Sequence, residues 1–396
     1  MDDILTGSYL AIALILIIFK VLFHGTRDLI LPICIFYFYF SFGPVIAHLL
    51  GMEIYFGTPK EFIPEACLIF LTGLSTLIIL SLIIPPPKNV SIPPLKFDFQ
   101  CLGFIYFIAI CYSAITIFQI TLTGNLDSKI DKISLVNPSF HYPYLMIEVY
   151  LLSFFFLIRK SNLRKWYFAN FIFFIAYNLV IGERDFIFPV ASILTHKFLL
   201  ESKGKSNFLK LTGLVFALMA VGTLIFYFRD STQNSGGALQ GMLNQGSLLF
   251  INTYCLKLLH DGTHFFFGFT YWNSILNLLP SWIFKSNFNT LDWFKSKYAA
   301  ASTSGYGFAL DAEGYLNFSY MGVFLTFVII FFLQRRIAKY MSERPFYLYF
   351  SVFFLSFTMY SLRNDSLAFM KGTIYAVLFY ILIREISKFF YRLAPS

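Results

Sequence analysis

Residues 4–23 read ILTGSYLAIALILIIFKVLF, a stretch with one charge, Lys20. As a helix it would be about 30 Å long, the thickness of a bilayer's hydrocarbon core. An apolar run of that length reads as a membrane span. Ten further runs follow, at 29–50, 62–84, 99–121, 142–158, 166–181, 186–200, 208–228, 313–333, 345–361 and 367–383. Runs 166–181 and 186–200 are short, and only Gly182, Glu183, Arg184 and Asp185 separate them. They read as a hairpin whose tip dips into the outer half of the bilayer. The expected fold class is an all-α polytopic membrane protein with about 11 transmembrane helices.

Composition points the same way. Apolar residues make up 58% of the 396 and charged residues 13%, about half the charged share of soluble domains. So little polar surface cannot cover a globule in water, which excludes a soluble enzyme, and the apolarity excludes a disordered chain. The net charge of +9 does not indicate nucleic acid, because membrane proteins concentrate Lys and Arg on the cytoplasmic side. The many Phe and Tyr read as lipid-facing and interfacial. Cys34, Cys67, Cys101, Cys111 and Cys255 lack metal-ligand spacing, and no disulfide is expected.

Charge also sets the orientation. With the connection near Arg27 inside, RKSNLRK (159–165), QRRIAKYMSER (334–344) and most of the 30 Lys and Arg fall in the cytoplasm. The N-terminus is then outside and the C-terminus inside. The first run lacks a basic leader and a small-residue cleavage site, so it does not read as a removable signal. Three regions result: 1–228 with eight spans, an outside loop at 229–312, and 313–396 with three spans. The loop is too long for a simple connector. It begins polar (RDSTQNSGG, 229–237) and becomes apolar at 264–284. That stretch reads as an interfacial helix pair on the outer leaflet. The alternative, a further span, is opposed by Asn273, Asn277 and Pro280.

Nucleotide and metal motifs are missing from the sequence, and no cytoplasmic connection is long enough to bind a nucleotide. An enzyme of this shape needs a substrate already activated within the membrane. Four cations from different segments fall at the outer face: Arg184 at the hairpin tip, Arg229 after run 208–228, and Arg363 and Lys371 around the start of the last run. A pyrophosphate would call for such convergence, and the planar guanidinium fork suits its oxygens. Local pairing is the competing reading: Arg184 with Glu183 or Asp185, Arg229 with Asp230, Arg363 with Asp365. Asp311 and Glu313 open the span 313–333, either as favourable charges at a helix start or as a general base for a sugar hydroxyl. Glu148, in the outer half of run 142–158, is read as paired with an arginine or as part of the site. His260 and His264 in the loop are rival bases.

The stretch Gly307–Gly322, GFALDAEGYLNFSYMG, carries Glu313, Tyr315, Asn317, Phe318 and Gly322. It resembles the Glu-x-Tyr-x-Asn-Phe-x-x-x-Gly stretch of bacterial oligosaccharide repeat-unit polymerases, the Wzy-type O-antigen and capsule polymerases. Gly182-Glu183-Arg184 resembles their Gly-x-Arg at a middle hairpin, Gly268 to Pro280 a piece of their large periplasmic loop, and Arg363 their late arginine. Arg229 departs from the family spacing, its following glycine, Gly241, falling one position late.

The resemblance implies a C-type glycosyltransferase-like membrane fold at the periplasmic face of the bacterial inner membrane. It implies transfer of a growing glycan from undecaprenyl pyrophosphate to the non-reducing end of a second lipid-linked repeat unit. Arg184, Arg363, Arg229 and Lys371 would hold the departing pyrophosphate, and Glu313 or Asp311 would engage the acceptor hydroxyl. His260, His264 and Glu148 would be further base or glycan contacts. No cofactor or metal is demanded. Lipid-linked oligosaccharides and the bilayer are the implied partners, nucleic acid is not one, and a chain-length regulator is left open. Two other readings stand: an O-antigen ligase, for which the loop histidines speak, and a flippase or transporter for the same lipid-linked oligosaccharide.

Overall fold

The computed structural model describes residues 2–24, 28–55, 57–87, 90–95, 98–123, 129–201, 213, 238–243, 248–279, 283, 288–298 and 307–393. Every regular element among them is helical. The helices are α1 Asp2–His24, α2 Ile30–Leu49, α3 Ile63–Ile83, α4 Leu102–Thr123, α5 Lys129–Val136, α6 Pro138–Leu152, α7 Ser161–Ile181, α8 Ile187–Glu201, α9 Ala238–Leu243, α10 Leu248–His260, α11 Phe269–Leu276, α12 Thr290–Tyr298, α13 Leu310–Tyr340, α14 Pro345–Ser361 and α15 Ser366–Leu393.

Helices overlap every apolar run except 208–228, which lies outside the described residues apart from Gly213. Six of the described helices are long and apolar enough to cross a membrane: α1, α2, α3 with its leading turn, α4, α13 and α15. Helix α8 is apolar but shorter. The expected span at 142–158 is instead α6, a helix of 15 residues starting at Pro138 and stopping at Leu152, about 22 Å long. Asn137 starts it by accepting a hydrogen bond from the Ser139 N–H at 3.0 Å. A short turn at 182–185 separates α7 from α8. Helix α7 ends in a left-handed cap at Gly182, and the N–H groups of Gly182 and Glu183 both bond the Asn178 carbonyl.

Two compact units are built from interleaved segments. Met1–Pro86, Gly236–Arg335 and Phe357–Gly372 form the first, and Pro87–Ser235, Arg336–Ser356 and Thr373–Ser396 the second. Large apolar side chains point outward along whole faces, among them Ile4, Ile15 and Leu22 of α1 and Phe104, Phe118 and Leu122 of α4. Exposed apolar faces of that extent need a lipid solvent. The chain is a helical membrane protein.

A buried ion triad joins α1, α2 and α13 in the first unit. Arg335 donates to both Asp28 oxygens, 2.7 Å each, and Lys20 bonds the same carboxylate. Asp28 also accepts the Ile30 N–H at 3.0 Å, capping α2. Burial alone would push the Asp28 carboxyl up, but Lys20 and Arg335 outweigh it and hold it below its ordinary value. Lys20, counted among the sequence's inside charges, is therefore a buried partner of Asp28.

Helix α13 departs from the expected span most. Phe318 and Ser319 leave helical geometry, Ser319 at a φ of 54°. The chain folds back there until Gly314 and Gly322 touch, a Cβ on Gly314 meeting Gly322 backbone at 2.9 Å. In a straight helix these residues would lie about 12 Å apart. Segment 310–317 is therefore a short folded-back helix, and the long stretch is 320–340. Glu313 sits on the short piece and does not open the span, contrary to the sequence reading.

Candidate functional site

The break in α13 frees carbonyls that a continuous helix would consume. Two are taken by the loop before α11: Phe266 N–H bonds the Leu316 carbonyl at 2.9 Å and Phe267 N–H the Asn317 carbonyl at 3.2 Å. Gly268 follows with a φ of 88° and gives its N–H to Asn317 Oδ1 at 2.8 Å. A side chain there would be strained and would come within 3.2 Å of the Phe318 ring. Helix α11 is thereby laid against the folded-back piece of α13.

The polarity of α11 is inverted. Thr270, Asn273 and Ser274 are buried, while Phe269, Trp272 and Ile275 are exposed, Trp272 by 60%. An apolar outer face on a helix with a polar inner face belongs in lipid. The expected interfacial pair over 264–284 is, among the described residues, this single helix. Pro280 and Trp282 lie outside them.

Beneath α11 lies Glu313, fully buried. Its Oε1 accepts the hydroxyls of Thr270 and Ser366, each at 2.8 Å, and its Oε2 the Ser366 N–H at 2.6 Å. Asn317 donates to Thr270 Oγ1 at 2.6 Å and to the Glu313 carbonyl at 2.8 Å. Ser366 Oγ reaches Ser274 Oγ at 3.1 Å. Asp311, also buried, accepts the Tyr37 hydroxyl at 2.8 Å, the Ala312 N–H at 2.8 Å and Asn252 Nδ2 at 3.2 Å. Both carboxylates are held by neutral donors and covered. In this arrangement they lock helices together, and both are shut off from solvent.

Arg363 lies in the turn between α14 and α15, half-buried above the Phe40 ring at 5.3 Å. Its Nε is buried without a partner, and no carboxylate pairs with it among the described residues. The local pair with Asp365 does not form. Asp365 instead caps α15, accepting the Ala368 N–H at 2.8 Å, and burial pushes its carboxyl up while Lys371 pulls it down. Backbone packing fixes the turn: a Cβ on Gly307 would strike the Arg363 carbonyl oxygen. This leaves a guanidinium in the turn before α15 and the half-buried ammonium of Lys371 on α15, near Asp365. A guanidinium without a carboxylate partner can bind an oxyanion.

Five other candidates remain. His260 and His264, in the same unit, are exposed, His260 beside Asp261 at 3.7 Å and near the Phe62 ring. Arg184 and Glu148 belong to the second unit, Arg184 half-buried at the hairpin tip. Glu148 does not meet an arginine. It is wholly buried, and Asn170 Nδ2 donates to its Oε2 at 2.7 Å. Arg229 lies outside the described residues. Among the described residues no group of three or more His, Cys, Asp or Glu could hold a metal.

Several participants were not singled out from the sequence. Thr270, Ser274 and Ser366 are small hydroxyls in unremarked positions, and Tyr37 and Asn252 sit inside apolar helices. In the second unit, buried His141 contacts Tyr177 Oη at 2.7 Å through Nδ1 and Glu183 at 3.3 Å through Nε2. A histidine directly before apolar run 142–158 and an asparagine within run 166–181 were the available signals.

Fold and site together define a polytopic helical membrane protein with a lipid-facing helix over a buried carboxylate. No protein-family model, curated protein or solved structure matches the chain.

Proposed function

We propose that the protein is a glycan polymerase of the repeat-unit type, acting on lipid-pyrophosphate-linked oligosaccharide at the outer face of the bacterial inner membrane. The observation that carries this reading is Arg363, a half-buried guanidinium with no carboxylate partner among the described residues, with Lys371 half-buried on the helix that follows. A cation left uncompensated at membrane depth calls for an anionic ligand. Helix α11 adds an apolar outer face suited to the lipid tail of such a substrate.

In the reaction proposed, an acceptor sugar hydroxyl attacks the anomeric carbon of the donor glycan. The new glycosidic C–O bond forms as the C–O bond to pyrophosphate breaks, and the bonding electrons leave with the phosphate oxygen. Arg363 and Lys371 offset the charge that grows on this leaving group. Glu313 takes the acceptor proton once α11 lifts and Thr270 and Ser366 release its oxygens. Neither nucleotide nor metal enters the scheme.

The test is a chromosomal null strain complemented with Arg363→Ala, scored by glycan length at matched protein level. Single repeat units are expected. Long polymer from that variant would overturn the assignment. Arg184→Ala and Arg229→Ala extend the test to the two remaining cations of the sequence reading. Purified protein should lengthen lipid-linked repeat units without nucleotide and without an ion gradient, which separates this reading from a flippase.

A further inference from the structure

The second unit buries a carboxyl group that the proposed reaction does not use. Glu148 of α6 and Asn170 of α7 are both fully buried. Asn170 Nδ2 donates to Glu148 Oε2 at 2.7 Å. The two remaining oxygens of the pair, Glu148 Oε1 and Asn170 Oδ1, are buried and have no hydrogen-bond partner. Two acceptors left over on opposite members of one bonded pair lack a single thing, a hydrogen between them. A carboxylic acid and a primary carboxamide close such a ring with two bonds, N–H to one acid oxygen and O–H to the amide oxygen.

The surroundings agree. The groups that face Glu148 electrostatically are the phenols of Tyr106 on α4, Tyr144 on α6 and Tyr167 on α7. Tyr106 and Tyr167 already donate to the carbonyls of Leu151 and Leu152, at 3.1 and 3.0 Å. Tyr144 bonds Ser113 and also turns its hydroxyl toward the Glu148 carboxyl, a neutral contact that leaves the Asn170 oxygen still without a donor. No cation among the described residues pairs with Glu148. A bare carboxylate so enclosed would be left without a counter-charge or a full set of donors, whereas the acid supplies the missing hydrogen between the pair.

We propose that Glu148 and Asn170 form a proton-binding site within the α6–α7 pair. Its exchange route runs along one face of that pair. Tyr144 lies one turn from Glu148, its ring 4.7 Å from that of Tyr177. Tyr177 bonds His141, which bonds Glu183 at the hairpin tip. His141 can pass a proton between its two nitrogens.

Infrared spectroscopy of the full chain in lipid nanodiscs tests this. A carbonyl band of a protonated carboxylic acid is expected at neutral pH, shifting on transfer to heavy water and absent from Glu148→Gln. Should that variant fail to fold, Asn170→Leu is expected to move the same band to higher frequency, because the acid loses its amide partner. His141→Ala is expected to slow the deuterium shift severalfold. The site is overturned by absence of an acid band in the native protein, by a band that neither substitution changes, or by one that emerges only when sodium is withdrawn, which would assign the pair to a monovalent cation. An unchanged exchange rate in His141→Ala overturns the route.

Discussion

Ser366 gives its backbone N–H to one oxygen of Glu313 and its hydroxyl to the other, at 2.6 and 2.8 Å. One residue thus ties the first turn of α15 to the folded-back piece of α13, and the carboxylate fills the role of a helix cap. Thr270 brings α11 to the same oxygen as the Ser366 hydroxyl.

Removing that carboxylate should therefore loosen three helices at once. Glu313→Ala leaves the Thr270 hydroxyl and the Ser366 N–H unpaired, at about 1–3 kcal/mol each, while the Ser366 hydroxyl keeps Ser274. Glu313→Gln keeps one acceptor oxygen and should lose less. Thermal midpoints by fluorescence-detected size-exclusion chromatography should rank native, Gln, Ala. A native midpoint for Ala would mean the node contributes nothing.

The contact between Gly314 and Gly322 should tolerate no side chain. Gly314→Ala or Gly322→Ala drives a methyl into backbone, and overpacking of this kind costs about 1–3 kcal/mol. Gly7→Ala in α1 is the control, since a Cβ there meets nothing within 4 Å. Lower folded yield for the first two variants with an unchanged third is the expected pattern.

Arg363 should matter for chemistry more than for stability. Arg363→Ala is expected to reduce polymerisation by about 10²–10³-fold. Arg363→Lys keeps the charge but loses the planar fork, so it should restore activity only partly. Both should retain the native melting midpoint. Turnover of lipid-linked substrate in nanodiscs distinguishes the two variants.

The Asp28 triad makes stability pH-dependent in one direction. Its carboxyl is held lower in the folded chain than in the unfolded one. The stabilisation is complete above the unfolded value and is lost as pH falls through the folded value. Asp28→Asn leaves Lys20 and Arg335 buried without their counter-charge, a change that costs about 3–5 kcal/mol. Midpoints of native and Asp28→Asn protein should differ most near neutrality and converge in acid.

Trp272 should report lipid directly. A variant whose only tryptophan is Trp272 should be quenched by brominated acyl chains and little affected by aqueous iodide. The reverse pattern would place α11 away from the bilayer.

The stretch 307–322 shows how far the sequence could be read. Glu313, Tyr315, Asn317, Phe318 and Gly322 were all noted, yet hydropathy made them the opening of a straight span. The reversal at Phe318 and Ser319 depends on Asn317 and on the loop N–H groups of Phe266, Phe267 and Gly268, residues some 50 positions earlier. Periodicity is local and cannot register such partners. Glu148 failed in the same way: sequence gave a charge in a span, and only packing supplied Asn170.

Apolar run length and the scarcity of charge determined by themselves that this chain is helical and membrane-embedded, because lipid leaves the backbone no other partner. Gly182 marked the end of a helix, which the structure places there as a left-handed cap. Tertiary structure decided which polar groups meet. It turned Glu313 inward under α11, left Arg363 without a counter-charge among the described residues and joined Glu148 to Asn170. Hydrogen bonds between distant segments become decisive where water is excluded, and their geometry follows from packing alone.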